Sequence, residues 1–170
     1  MFLFADGLAN LFREMLTVLN EKDDIEMAND FYFWLLMNNA ELSSITPLIK
    51  DAKDSDQHNA FLKELESFKA REQTAKFVFK GPTADIVSNF IGSYRELLFS
   101  TYQYQILIDN MTDAAKEHSL SKEKAAQVLH ENTYRAALNK RINVLQQNLH
   151  AYGSDYAQSR LRGQINLASN

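Results

Sequence analysis

The sequence predicts an all-α fold, a helical bundle of six or seven helices built on a long antiparallel helical hairpin. Apolar residues recur at spacings of three and four along most of the 170-residue chain, which is the period of an amphipathic helix. Five Gly and two Pro supply too little turn material for a fold of many strands. Nineteen aromatic residues exclude a disordered chain, so we expect one globular domain over 1–170.

Four helices are predicted before residue 81. The first spans about residues 3–20, and the polar break over 20–24 supplies an Asp N-cap for the second. Thr46-Pro47 begins a short third helix, and Asp54 caps the fourth. Apolar stripes predict the core residues of the first, second and fourth helices: Phe4, Leu8, Leu11, Phe12, Met15 and Leu19; Phe31, Trp34 and Leu35; and Phe61, Leu65 and Phe68.

Gly81-Pro82 is the clearest break in the helical pattern, because proline disfavours helix in the residue before it. We interpret it as a turn, with a subdomain joint at 81–82 as the alternative. A long helix follows over about 84–117, and it is apolar over so much of its circumference that other helices must surround it. Leu98, in the middle of this helix, is therefore predicted to be fully buried.

A second long helix is predicted over about 122–152, capped by Ser121 and antiparallel to the first because only a short turn joins them. It contains a heptad seam of only about two heptads, which is too short to hold a dimer alone. We expect the seam to pack against the chain's own helices or against those of a second copy. The seam consists of Leu138, Ile142, Leu145, Leu149 and Tyr152.

No catalytic or cofactor-binding constellation is recognisable in the sequence. The absence of Cys excludes disulfides, thiolate zinc sites, iron–sulfur clusters and a Cys nucleophile. The four His residues form no HExxH motif, and the five scattered Gly cannot build a phosphate-binding loop or a nucleophile elbow. We therefore predict no enzyme activity, no cofactor and no metal. The alternative is an enzyme whose site is assembled from distant His and carboxylate residues.

Charge is unevenly distributed along the chain, whose net charge is −4. Residues 1–60 carry four basic and eleven acidic side chains, whereas residues 121–170 carry seven basic and three acidic ones. This asymmetry predicts either partners of opposite sign or neutralisation of one end of the chain by the other.

The candidate interaction surface lies in the basic C-terminal third. Tyr104, Tyr152 and Tyr156 stand next to polar sequence and are predicted to be surface aromatics. Residues 120–142 superficially resemble a helix-turn-helix, but His130 stands where that turn usually contains Gly, so one continuous helix is preferred. The candidate surface consists of Tyr134, Arg135, Lys140, Arg141, Tyr152, Tyr156, Arg160 and Arg162.

These features predict a non-catalytic, cytoplasmic protein that acts through protein–protein interaction, as a regulator, adaptor or assembly subunit. A protein partner or self-association is expected. The alternative is a nucleic-acid-binding regulator that uses the basic C-terminal third, whose Arg and Lys side chains should then share one accessible face. No membrane span is expected, because the longest uncharged apolar run, 97–108, has twelve residues and a span needs about twenty.

Overall fold

The computed structural model is a bundle of α-helices, which confirms the predicted fold class. It describes residues 1–19, 42 and 44–168, and these ranges contain seven helices and no strand. The helix predicted after Asp24, with Phe31, Trp34 and Leu35, and the side chains of Met15 and Leu19 lie outside the described residues. The helices are α1 (Phe2–Leu19), α2 (Thr46–Lys50), α3 (Ser55–Val78), α4 (Pro82–Glu117), α5 (Lys122–Val128), α6 (Glu131–Tyr152) and α7 (Asp155–Ala168).

Helix α4 is the central element of the bundle, and α3 packs antiparallel along one side of it. At one end of this helix pair the Phe61 ring stacks on Tyr102, with the ring centroids 4.0 Å apart. Further along, Glu72 of α3 lies 3.4 Å from the Arg95 side chain of α4. Leu98 is 1% exposed, which confirms its predicted burial in the middle of the central helix.

Helix α6 packs antiparallel along another side of α4 and contributes buried side chains to the same hydrophobic core. Ile142 is half-buried and the other four seam residues are buried, so the heptad seam packs against the chain's own helices. The Tyr152 ring stacks on Phe90 at 5.0 Å between centroids, and its hydroxyl donates to the Asp6 carboxylate of α1 at 2.8 Å.

The prediction that Tyr104 and Tyr152 are surface aromatics is wrong, because both side chains are buried. Each places its ring in the core and its hydroxyl on a carboxylate, Glu131 for Tyr104 and Asp6 for Tyr152. A buried tyrosine is stable when its hydroxyl finds a hydrogen-bond partner in this way. Polar neighbours in sequence therefore did not indicate exposure at these two positions.

The predicted continuous helix over 122–152 is also wrong, because the chain turns at His130. The backbone there has φ +55° and ψ +41°, in the left-handed region that residues other than Gly seldom adopt. Helix α5 ends before this residue and α6 begins after it, so the returning arm of the hairpin consists of two helices.

Two sequence signals mark helix starts in the structure. The Asp54 carboxylate accepts two backbone N–H bonds, at 2.9 and 3.0 Å, and is the predicted cap of α3. Gly81 has φ +62° and forms the turn between α3 and α4, which pack on each other. None of the helices in the described part of the chain is sufficiently long and apolar to cross a membrane.

Candidate interaction surface

The predicted interaction residues on α6 do not share one face. At about 100° per residue, Arg135 and Arg141 flank the buried seam on opposite sides, and Lys140 lies on the far side of the helix. Arg135 is paired with Glu131, and the Arg141 guanidinium lies 3.3 Å from Glu96 of α4. Two of these three cations are therefore already neutralised by acids of the bundle.

Glu131, the first residue of α6, is a buried carboxylate with two partners. It accepts hydrogen bonds of 2.8 and 2.7 Å from Arg135 and one of 2.5 Å from the Tyr104 hydroxyl. Burial raises the pKa of Tyr104, and the bond to the carboxylate raises it further. The same carboxylate raises the pKa of Arg135 by hydrogen bonding to its guanidinium. The Tyr104 hydroxyl and the Arg135 guanidinium therefore stay protonated at neutral pH.

Arg141 ends a chain of four alternating charges that crosses three helices. Glu96 lies between Arg141 and Arg95, at 3.3 and 3.1 Å, and Arg95 also faces Glu72 at 3.4 Å. A Cβ atom on Gly92 would lie 3.0 Å from the Glu72 side chain, so the glycine makes room for that carboxylate. Arg141 thus contributes to joining α3, α4 and α6.

The three predicted residues on α7 remain accessible. Tyr156 is 52% exposed, and the Arg160 guanidinium lies over its ring, 5.4 Å from the centroid. Arg162 is exposed. Residues four apart lie on the same side of a helix, so Tyr156, Arg160 and Gln164 form one ridge along α7.

Gln164 joins this ridge to the turn between α3 and α4. Its side-chain oxygen accepts from the Lys80 backbone N–H at 2.9 Å, and its amide nitrogen donates to the Lys80 carbonyl at 3.3 Å. Phe79, the preceding residue, is buried in the core. The backbone of the turn is therefore held by a buried side chain and by two hydrogen bonds.

Next to this fixed turn, two apolar side chains at the end of α3 face the solvent. Phe77 is 87% exposed and Val78 is 53% exposed, although Ala75 and Phe79 on either side of them are buried. Sequence reasoning missed both residues. The sequence did indicate their exposure. The apolar stripe of α3 runs from Phe68 through Ala75 towards Phe79, just after the helix, and Phe77 lies on the opposite side of the helix.

The charged residues nearest to this apolar pair in the sequence are Lys76 and Lys80, and the acids Glu72 and Asp85 lie about one turn further away on either side. Residues 73–84 and 156–165, which the Gln164 bonds hold together, contain four basic side chains and no acidic one, in a chain whose net charge is −4. We use the name basic–apolar surface for the exposed side chains of the turn and the α7 ridge. They are Lys76, Phe77, Val78, Lys80, Tyr156 and Arg160.

One of the four histidines places its ring next to a buried tyrosine. His58 Nδ1 lies 2.5 Å from the Tyr102 hydroxyl, which donates to the Ala52 carbonyl at 3.1 Å. His118, His130 and His150 are exposed. Within the described ranges, no three His, Asp or Glu side chains are placed to hold a metal ion together.

No protein-family model matches the chain, and neither a curated protein nor a solved structure is significantly similar to it. Its function is therefore inferred from the chemistry of its own surfaces.

Proposed function

We propose that this protein acts without catalysis, by binding another protein through the basic–apolar surface. One observation carries the proposal: Phe77 is 87% exposed beside a backbone that Phe79 and Gln164 hold in place. Folding leaves the phenyl ring in contact with water, so its burial by a partner would stabilise the complex through the hydrophobic effect. Because the turn is already ordered, binding there loses little conformational entropy.

The charges define the chemistry of the partner. Lys76 and Lys80 flank the apolar pair along the chain, and Arg160 lies on the α7 ridge that Gln164 joins to the same turn, so the partner surface that we propose is an apolar pocket with Asp or Glu at its rim. Aromatic residues at the centre and charges at the rim are the common arrangement of protein interfaces. The rim charges would mainly accelerate association, and salt would weaken that effect. The regulator, adaptor or assembly role, the oligomeric state and the cytoplasmic location stay predictions.

Nucleic-acid binding has less support. It requires the basic side chains of the C-terminal third to share one face, whereas Arg135 and Arg141 are paired with Glu131 and Glu96, and Lys140 lies on another side of α6. A gel mobility assay at low salt with duplex and single-stranded probes tests this alternative. A shift that is lost on reversing Lys140 and Arg141 to Glu, while helicity measured by circular dichroism stays intact, would favour it over protein binding.

The partner can be found by placing a photo-crosslinking phenylalanine analogue at position 77 in the full chain and irradiating cells. The same analogue at position 134, where the native Tyr134 is 41% exposed on α6, is the control. We expect one protein to be crosslinked from position 77 and not from position 134. Equal crosslinking from both positions would contradict the proposal. A crosslinked second copy would identify self-association.

The purified partner is then titrated with the variant Phe77→Ser. An aromatic hot spot contributes about 2 kcal/mol or more, so the affinity should fall roughly 30-fold or more. Leu62→Ser, on the same helix at a 40% exposed position outside the surface, should bind like the wild type. Unchanged affinity of Phe77→Ser would refute the proposed interface.

A further inference from the structure

A cleft of about 690 Å³ lies between the second half of α4, helix α5 and the start of α6. Its volume falls within the range of small-molecule sites, roughly 300–1,000 Å³. It begins at Tyr104, which is 22 residues and thus about 33 Å along α4 from Pro82, so it is separate from the basic–apolar surface. Its apolar lining consists of Ile108, Met111, Ala115 and Ala126.

Cations from three helices border the cleft. Arg135 stands at the Tyr104 end, while Lys116 and Lys122 stand at the end near the α4–α5 turn. The two ends are 12 residues apart on α4, which corresponds to about 18 Å. The cleft therefore has an apolar middle, the Arg135–Glu131 ion pair at one end, and Lys116, Lys122 and Glu123 at the other.

The two acids that line the cleft are engaged within the protein. Glu131 is held by Arg135 and Tyr104. Hydrogen bonds from a backbone N–H and from Ser121 lower the pKa of Glu123, so its carboxylate is tied to the start of α5. The charge of Lys122 also lowers the pKa of Glu123, so Glu123 offsets part of the charge of Lys122, whereas Glu131 is held at the Arg135 end.

The two lysines differ from Arg135, which forms an ion pair with Glu131. The ion pairs of the described residues include neither Lys116 nor Lys122. Asp113, one turn before Lys116 on α4, forms its ion pair with Lys53, which is the main cause of the lowered pKa of Asp113, and Lys116 contributes less. At the other end, Arg135 uses two of its five N–H donors on Glu131.

We infer that the cleft binds a small amphipathic anion, with its acidic head on Lys116 and Lys122 and its aliphatic body along Ile108 and Met111. Because neither ammonium group forms a salt bridge in the described part of the chain, both can bind a carboxylate or phosphate head without breaking an existing ion pair. The apolar lining removes the aliphatic body from water. This inference is independent of the proposed protein interface.

Calorimetric titration of the full chain with decanoate tests the inference, with decanol as the neutral probe and decyltrimethylammonium as the cationic one. We expect saturable 1:1 binding of decanoate, at least tenfold tighter than that of either other probe. Decyl phosphate should bind like decanoate, because both heads are anionic. No saturable binding of decanoate up to millimolar concentration, or equal affinity for all three head charges, would overturn the inference.

Three variants locate the site. The double variant Lys116→Gln, Lys122→Gln should bind decanoate at least tenfold more weakly, while Lys140→Gln, an exposed lysine on the far side of α6, should bind like the wild type. Ala126→Phe should fill the cleft and abolish binding, with its helicity checked by circular dichroism. The two lysine substitutions are at the surface, so the measurement on the double variant still tests the site if Ala126→Phe fails to fold. Wild-type affinity in the double variant would place the ligand elsewhere and refute the site.

Discussion

Replacing Leu98 by Ala removes three carbon atoms from the middle of the central helix. The Leu98 side chain is 1% exposed and belongs to the main hydrophobic core. At about 0.8 kcal/mol for each carbon, the transfer loss is about 2.4 kcal/mol. The cavity left behind adds to this, so the free energy of unfolding should fall by about 2–5 kcal/mol. That is a large part of a typical total of ~5–15 kcal/mol.

Leu3→Ala is the matched control, because it makes the same chemical change at a position that is 82% exposed on α1. Its cost should stay below about 0.5 kcal/mol, as for most surface substitutions. Urea denaturation followed by circular dichroism measures both variants, and the slope with denaturant should not change. Equal losses for the two variants, or a larger loss for Leu3→Ala, would refute the assignment of α4 as the core helix.

Two further outcomes follow from the backbone and the buried tyrosines. His130→Gly should stabilise the protein by about 1 kcal/mol, because Gly adopts the left-handed conformation freely, whereas His150→Gly, in the last turn of α6, should destabilise it by a few tenths of a kcal/mol. Thermal melting of both variants checks this, and a loss of stability in His130→Gly would contradict it. Burial raises the pKa of Tyr94, Tyr104 and Tyr152 above the ordinary phenol value of about 10. The unfolded chain therefore releases these protons first, and stability that is complete below about pH 10 should decline at higher pH. Ionisation of all seven tyrosines by ultraviolet absorbance before helicity is lost would contradict that expectation.

Helical periodicity predicted the parts of the fold that depend on the burial of one stripe. Phe4, Leu8, Leu11 and Phe12 of α1 are buried as expected, because an amphipathic helix has only one way to remove such a stripe from water. The break at His130 could not be predicted in this way. No Gly or Pro marks it, and the contacts that accompany it, from Tyr104 and Arg135 to Glu131, join residues up to 27 positions apart.

The candidate site was predicted only in part for a similar reason. Tyr156 is exposed as predicted, and Arg160 and Arg162 of α7 are exposed as well, since few residues of that helix are apolar. Arg135 and Arg141 were named for their charge, but the acids that neutralise them come from the bundle itself. Helical periodicity predicts which side of a helix is buried. It does not predict which acidic side chain from another part of the chain pairs with a given Arg.

Helix α5 has the weakest attachment of any helix along the hairpin. It has seven residues, of which only Ala125 is buried, and the turns on either side contain the left-handed residues Ser119 and His130. Elements with few buried contacts open locally at a small fraction of the global unfolding free energy. The amide protons of Lys122–Val128 should therefore exchange with solvent long before those of α4 and α6, which makes α5 a separate opening unit within the hairpin.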